Sequence, residues 1–129
     1  MKIVYPSVDD VLSLHELLID ATGGSHGVRD HGLVEAAVAR PQQTFGGQEL
    51  YPTIFAKTAA LFESLVNNHP FVDGNKRTAA LAAVTFMERN GWRVVASNEG
   101  LVELTLAMAT SSVGIAEATR WFEEESESV

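Results

Sequence analysis

The stretch from Gly74 to Asn90 limits most strongly what this chain can become. After its first turn it runs through Ala79, Ala80, Leu81, Ala82, Ala83, Val84, Phe86 and Met87 without a proline. A helix made of these residues is apolar nearly all round, and it is stable only when other elements cover it. The alanines let neighbours come close, and Gly91 supplies a left-handed stop. The rest of the chain must act as the cover. With 129 residues in all, there is material for one core and not for two.

That cover reads as five further helices. Ser7 and Asp10 form a capping pair for Val8, Val11, Leu12, Leu18 and Ile19, which predicts a helix over 8–20. Thr22 to Gly32 carries four glycines and predicts a loop, until Asp30 caps a second helix through Arg40 that Pro41 stops. Gln42 to Tyr51, with Gly46-Gly47, is another loop. Pro52 suits the first position of a third helix, with Ile54, Thr58, Leu61, Phe62 and Leu65 on one face and an end near Asn67-Asn68. Trp92 to Ala96 reads as a short extended connector, and Ser97 and Ser112 as caps of helices over 98–109 and 113–124. Residues 123–129, with Glu123, Glu124, Glu125 and Glu127, read as an acidic solvated tail. The expected fold is all-α: one domain over 1–129, with about six helices around a buried central one.

Composition closes several functional classes. Zero cysteines exclude a disulfide framework, a thiolate zinc site and a cysteine nucleophile. The net charge is −8, and setting the tail aside still leaves nine cations against thirteen acids. That is the wrong sign for gripping a phosphate backbone, so no direct nucleic-acid partner is expected. Met1 to Pro6 lacks the apolar region of a signal peptide, and nothing approaches a membrane span. A cytoplasmic location without membrane attachment follows as the default.

The densest polar cluster is His69-Pro70-Phe71-Val72-Asp73-Gly74-Asn75-Lys76-Arg77, where a loop enters the apolar helix. The first turn of a helix offers unpaired amides and the positive end of its dipole, a setting suited to an anion. Gly74 lets the backbone approach a ligand, the Asn75 amide can donate, Lys76 adds a point charge and Arg77 a planar fork, so the four read as a phosphate cradle. Asp73 would repel a bare phosphate, and it makes best sense with a magnesium ion between the two. His69 is placed to act as a general base. A plainer reading makes Asp73 an N-cap, leaves Lys76 and Arg77 solvated and makes Phe71 a core anchor; the joint occurrence of complementary roles points instead to phosphoryl or nucleotidyl transfer.

These nine residues, HPFVDGNKR, resemble the Fic/Doc signature HxFx[DN][AG]N[GK]R, and Lys76 points to the Doc, or death-on-curing, branch. The likeness extends to chain length, the glycine-rich loop Gly23-Gly24 to Gly32, and the run from Lys76-Arg77-Thr78-Ala79 into Asn90-Gly91. The resemblance implies a compact helical bundle and catalysis by His69, Lys76 and Arg77, with His69 as general base. It further implies Asp73 as magnesium ligand and Gly74, Asn75, Lys76 and Arg77 as binders of the nucleotide phosphates. AMP-transferring Fic proteins have glycine in place of Lys76 and a second arginine where this chain has Ala80. Both departures favour the Doc reaction, in which the γ-phosphate of ATP passes to a threonine of elongation factor Tu and translation stops. AMP transfer, or a non-catalytic antitoxin-binding or nucleotide-binding module, is the alternative. The family's autoinhibitory segment [ST]xxxE[GN] is missing, since Glu99-Gly100 follows Val95. Inhibition would then fall to a separate antitoxin lying in a groove of a type II toxin.

Other clusters carry less. Gly74-Asn75-Lys76 lacks the spacing of a Walker A loop, and His15-Glu16 lacks the second histidine of a zincin. His26, Asp30 and His31 lie in the glycine-rich region and read as loop more readily than as a metal site. Trp92 and Trp121 read as core or groove packing. Gln48 to Tyr51 is expected, by topological analogy, to be the flap that holds a target peptide.

Overall fold

In the computed structural model, which describes residues 2–129, local capping chemistry sets where most helices begin. Helix α1 (Val8–Thr22) starts where the Ser7 hydroxyl accepts the Asp10 amide and the Asp10 carboxylate accepts the Ser7 amide. Asp30 caps α2 (His31–Ala39), which tightens into a 3-10 turn at Arg40–Gln42 around Pro41. Thr53 caps α3 (Ile54–Asn68), so Pro52 stands before the cap and not in the first turn. Helix α4 (Asn75–Arg89) begins at Gly74 with no side-chain cap. Ser97 caps α5 (Asn98–Ala109). The last helix, α6 (Ile115–Glu124), starts later than expected because Ser112 pairs with Thr110, and Gly114 takes the cap position with its amide on Glu117.

Two small antiparallel pairs complete the fold. Strands β1 (Thr44–Phe45) and β2 (Gln48–Glu49) form a hairpin around Gly46-Gly47. Strand β3 (Trp92–Val94) pairs with β4 (Ser126–Ser128), Trp92 opposite Ser128 and Val94 opposite Ser126. The acidic end is therefore not a free tail. Its carboxylates at Glu123, Glu124 and Glu127 stay exposed, but its backbone is hydrogen-bonded and Glu127 meets Arg93 at 2.5 Å. A solvent-facing acid between two serines suits an edge strand as well as a coil.

The bundle does have a buried central helix, and it is α3, which precedes the cluster singled out in the sequence. Eleven of its fifteen residues are buried, Leu61, Phe62, Leu65 and Val66 among them, and it packs against α2, α4, α5 and α6. Helix α4 buries six, from Thr78 to Met87, and leaves Ala80, Leu81 and Val84 half-covered. Alanines explain the difference. They allow α3 and α4 to approach closely but offer little area of their own, whereas each large side chain buried on α3 contributes about 1.5–3 kcal/mol. Phe62 meets Phe122 edge to face at 5.7 Å, and Phe55 meets Trp92 likewise at 4.9 Å. Trp92 and Trp121 are half-buried against this core.

The core also holds a charge. Lys57 is 2% exposed, with its ammonium donating to Glu49 at 2.8 Å and to the Pro41 carbonyl at 3.2 Å, beneath the Tyr5 ring. Burial opposes its charge, yet the bonds to Glu49 and Tyr5 outweigh that and hold its pKa above the ordinary lysine value. This ion pair ties the β1–β2 hairpin to the amino-terminal half of α3, about 18 Å along the helix axis from His69 at 1.5 Å per residue.

Candidate active site

The path from α3 into α4 is shaped by contacts that reach it from elsewhere. His69 ends α3 in the left-handed region, at φ 51 and ψ 57. Phe71 turns inward and is 1% exposed, its ring stacked on that of His15 at 3.9 Å with the planes 6° apart. The side chain of Asn75 folds back on the same residue: its Oδ1 accepts the Phe71 amide at 2.9 Å and its Nδ2 donates to the Phe71 carbonyl at 3.0 Å. His15 Nε2 lies 2.8 Å from the Asp73 carbonyl. A carbonyl can only accept, so this nitrogen carries the proton. From the other side, the segment Gly27 to Asp30 pairs with Pro70 to Val72 through three backbone hydrogen bonds, two of which form the antiparallel bridge between Val28 and Phe71.

Asp73 and the start of α4 form the polar centre. The Asp73 carboxylate accepts the Ser25 amide at 3.1 Å and the Gly74 amide at 2.8 Å. These two amides, the Ser25 contact first, draw its pKa below the usual carboxylate value, so it is ionised at neutral pH. It is not the N-cap of α4; Gly74 is, at φ +74, and a Cβ there would lie 2.9 Å from Ile19 Cδ1. Gly24 is confined more tightly still, since at φ +112 its Cβ would lie 2.6 Å from Asp73 Oδ2. The first helical bond of α4 runs from the Thr78 amide to the Gly74 carbonyl. The amides of Asn75, Lys76 and Arg77 therefore have no acceptor within the helix.

The two cations behave differently. Arg77 turns back onto the end of α1, where it donates to the Thr22 hydroxyl and to the Gly23 carbonyl at 3.1 Å, with its other terminal nitrogen 4.0 Å from Asp73. Lys76 is exposed and engages no acceptor among the described residues. It stands at one end of a cavity of about 250 Å³ between α4 and α5, lined by Arg77, Ala80, Leu101, Val102 and Leu106. The His69 ring is exposed at the far end of the loop.

The structure thus brings Asp73, Gly74, Lys76 and Arg77 to one helix start, while Asn75 braces the loop and does not point its amide outward. Gly74 is a glycine because of its backbone angle and Ile19. Sequence reasoning gave Ser25 and Arg29 no role, weighed His15 only as a zincin ligand and took Gly24 only as part of the glycine-rich loop. His15 had a signal, being the one ring-bearing polar residue on the stripe Val8, Val11, Leu12 and Ile19; Arg29 had none. His26 pairs with Asp20 and His31 with Glu35, and no group of three or more metal-binding side chains occurs among the described residues. The segment Gln48 to Tyr51 contains β2 and is anchored by Lys57 and Arg40. No helix among the described residues is long and apolar enough to cross a membrane.

A family model described as Fic/DOC family matches residues 5–87, from before α1 to nearly the end of α4. The chain belongs to the Fic/DOC family. Two relatives place it in the Doc branch of that family. It is 50% identical over 92 residues to Toxin Doc of Mycolicibacterium smegmatis, covering 71% of this chain and 68% of the relative. It is 34% identical over 109 residues to Protein kinase doc of Escherichia phage P1, covering 84% and 85%. In this Fic/DOC chain the match takes in the motif and every brace on it, His15, Gly24 and Arg29 included. The α5 wall of the cavity lies beyond it.

Proposed function

We propose that this chain is the toxin of a toxin-antitoxin pair and a Doc-like protein kinase. It would move the γ-phosphate of ATP to a threonine hydroxyl of a translation factor, elongation factor Tu by the resemblance, and so arrest translation. A cognate antitoxin would hold it in check. One observation carries this reading: α4 opens without a cap, with three unspent amides beside an unpaired lysine and an ionised aspartate. The relatives named Toxin Doc and Protein kinase doc support it.

In this reading the amides of Asn75 to Arg77 and the Lys76 ammonium hold phosphate oxygens, and Arg77 adds the donors it does not spend on α1. Asn75 keeps the loop in shape. Asp73 suits a magnesium ion, because it is ionised, half-exposed and the single carboxylate at the helix start, as that ion needs when phosphate and water fill its other positions. Magnesium bound there would neutralise phosphate charge. The exposed imidazole of His69 takes the proton of the attacking hydroxyl, the oxygen bonds to the γ-phosphorus, and the bridging bond breaks to release ADP.

The test is paired label transfer with purified protein, the translation factor and Mg-ATP. Label from γ-labelled ATP should reach the factor and vanish with His69→Ala or Lys76→Ala. Label from α-labelled ATP alone would mean AMP transfer and overturn the kinase reading. Growth arrest by the His69→Ala variant, with no label from either, would assign a non-catalytic role.

A further inference from the structure

The structure assigns a positioning role to Arg29, a residue outside the nine-residue motif: it fixes the backbone that presents the His69 imidazole. This rests on the proposed role of His69 as the general base. The geometry at His69 is unusual for its residue type, since a side chain with a Cβ seldom adopts φ 51 and ψ 57, and something must hold it there. The imidazole is exposed, so its placement depends on the direction of its own Cα–Cβ bond.

Arg29 supplies that hold. Its Nε donates to the His69 carbonyl at 2.6 Å and a terminal nitrogen donates to the Asn68 carbonyl at 2.7 Å. These are among the last carbonyls of α3, which have no helical donors and lie at the negative end of the helix dipole. The planar fork engages two successive carbonyls at once and so fixes the tilt of the two peptide planes that flank the His69 Cα; an ammonium could attract both without fixing either. The backbone of the same segment continues the grip, with the Arg29 and Asp30 amides both donating to the Pro70 carbonyl, at 2.8 and 3.0 Å. His69 is thus held on both sides of its Cα by one short piece of the α1–α2 connection. Nothing comparable reaches Lys76, so nucleotide affinity and base placement are separable.

The test compares Arg29→Ala and Arg29→Lys with the wild type in two measurements: kcat and KM for ATP in label transfer, and the three-bond HN–Hα coupling of residue 69 by NMR. Arg29→Ala should lower kcat about 10- to 100-fold, the range expected for a misplaced catalytic group, with KM for ATP within about twofold. The coupling at residue 69 should move away from its left-handed value, Arg29→Lys should recover only part of both, and free guanidinium should restore part of the Arg29→Ala rate. An unchanged kcat, or a loss of kcat with the coupling unmoved, would overturn the assignment, since a merely stabilising arginine predicts the latter. If Arg29→Ala does not fold, Arg29→Lys and Arg29→Gln take its place. If the wild type transfers no label, the kinase reading has failed and the coupling decides whether Arg29 holds the backbone.

Discussion

Asn75 offers the sharpest separation of two roles that its place in the motif leaves entangled. If its amide exists to meet phosphate, Asn75→Ala should leave the empty protein as stable as before. The structure says otherwise. Two hydrogen bonds, at 2.9 and 3.0 Å, join its side chain to the amide and carbonyl of Phe71, a residue 1% exposed. Each such bond contributes about 0.5–1.5 kcal/mol, and a buried group stripped of its partner loses about 1–3 kcal/mol. Removing both should destabilise the chain by about 2–4 kcal/mol, a large part of a typical stability of about 5–15 kcal/mol. With a urea slope of about 2 kcal/mol/M, the middle of the usual range, the midpoint should fall by about 1–2 M at unchanged slope, without nucleotide present. Urea titrations read by far-UV circular dichroism would measure it, with Lys76→Ala as a control within about 0.5 kcal/mol of wild type. A stability loss for Asn75→Ala no larger than that of Lys76→Ala would refute the bracing role.

Three further outcomes follow from the same contacts. Gly24→Ala would put a Cβ 2.6 Å from Asp73 Oδ2 at φ +112, where a side chain strains the backbone by about 1–3 kcal/mol; label transfer should fall much further than stability, and wild-type rates would contradict the packing. Glu49→Ala should destabilise more than Lys57→Met, because the first strands an ammonium 2% exposed whereas the second leaves a half-exposed carboxylate to water; equal stabilities, or the reverse order, would show that the pair is not what holds the hairpin. Asp10, lowered by the Ser7 amide and then by its hydroxyl and Arg89, and Asp73, lowered by the Ser25 and Gly74 amides, both titrate below the ordinary aspartate value in the folded chain. Their stabilisation is present above about pH 4 and is lost as pH falls through the folded values, so urea midpoints should drop on acidification and drop less steeply in Asp10→Asn. A parallel acid limb in that variant would remove Asp10 from the account.

What the sequence disclosed was what is local. Ser7, Asp30 and Ser97 announced their helices because a cap and its target amide are three residues apart. Thr53 was hidden by Pro52, which mimics a helix start, and Gly114 by two preceding serines. Trp92 to Ala96 was legible as an extended connector, but its pairing with Ser126–Ser128 was not, since the two segments lie over thirty residues apart and the second reads only as an acidic end. The motif suggested a chemistry by residue type, but type does not give direction. Asn75 turned inward to Phe71 and Arg77 backward to Thr22, because the loop's buried amide and the end of α1 needed donors and acceptors as much as a ligand would. The expectation for α4 failed in a related way. Its alanines signalled burial correctly on the α3 side, but they could not show that Ala80 and its neighbours line a cavity opposite α5.

The start of α4 shows why these misdirected side chains matter together. Ser7, Asp30, Thr53 and Ser97 each satisfy amides of the helix they begin, a gain of about 1 kcal/mol apiece. Gly74 gives α4 nothing comparable, and the nearby Asp73 carboxylate, chemically able to cap, is instead drawn off by Ser25 and by Gly74 itself. Keeping three amides open therefore requires that Asp73 be held away from them, which is what the His15 bond to its carbonyl, the space left by Gly24 and the Ser25 amide accomplish together. An open helix start with a restrained carboxylate is less stable than a capped one, and the phosphate site proposed above is a use for the open amides that would offset this cost. On this view Gly74→Ser should impair γ-phosphate transfer, because the left-handed angle at position 74 and Ile19 Cδ1, 2.9 Å from the added Cβ, would force the open helix start out of shape; wild-type label transfer by this variant would contradict it.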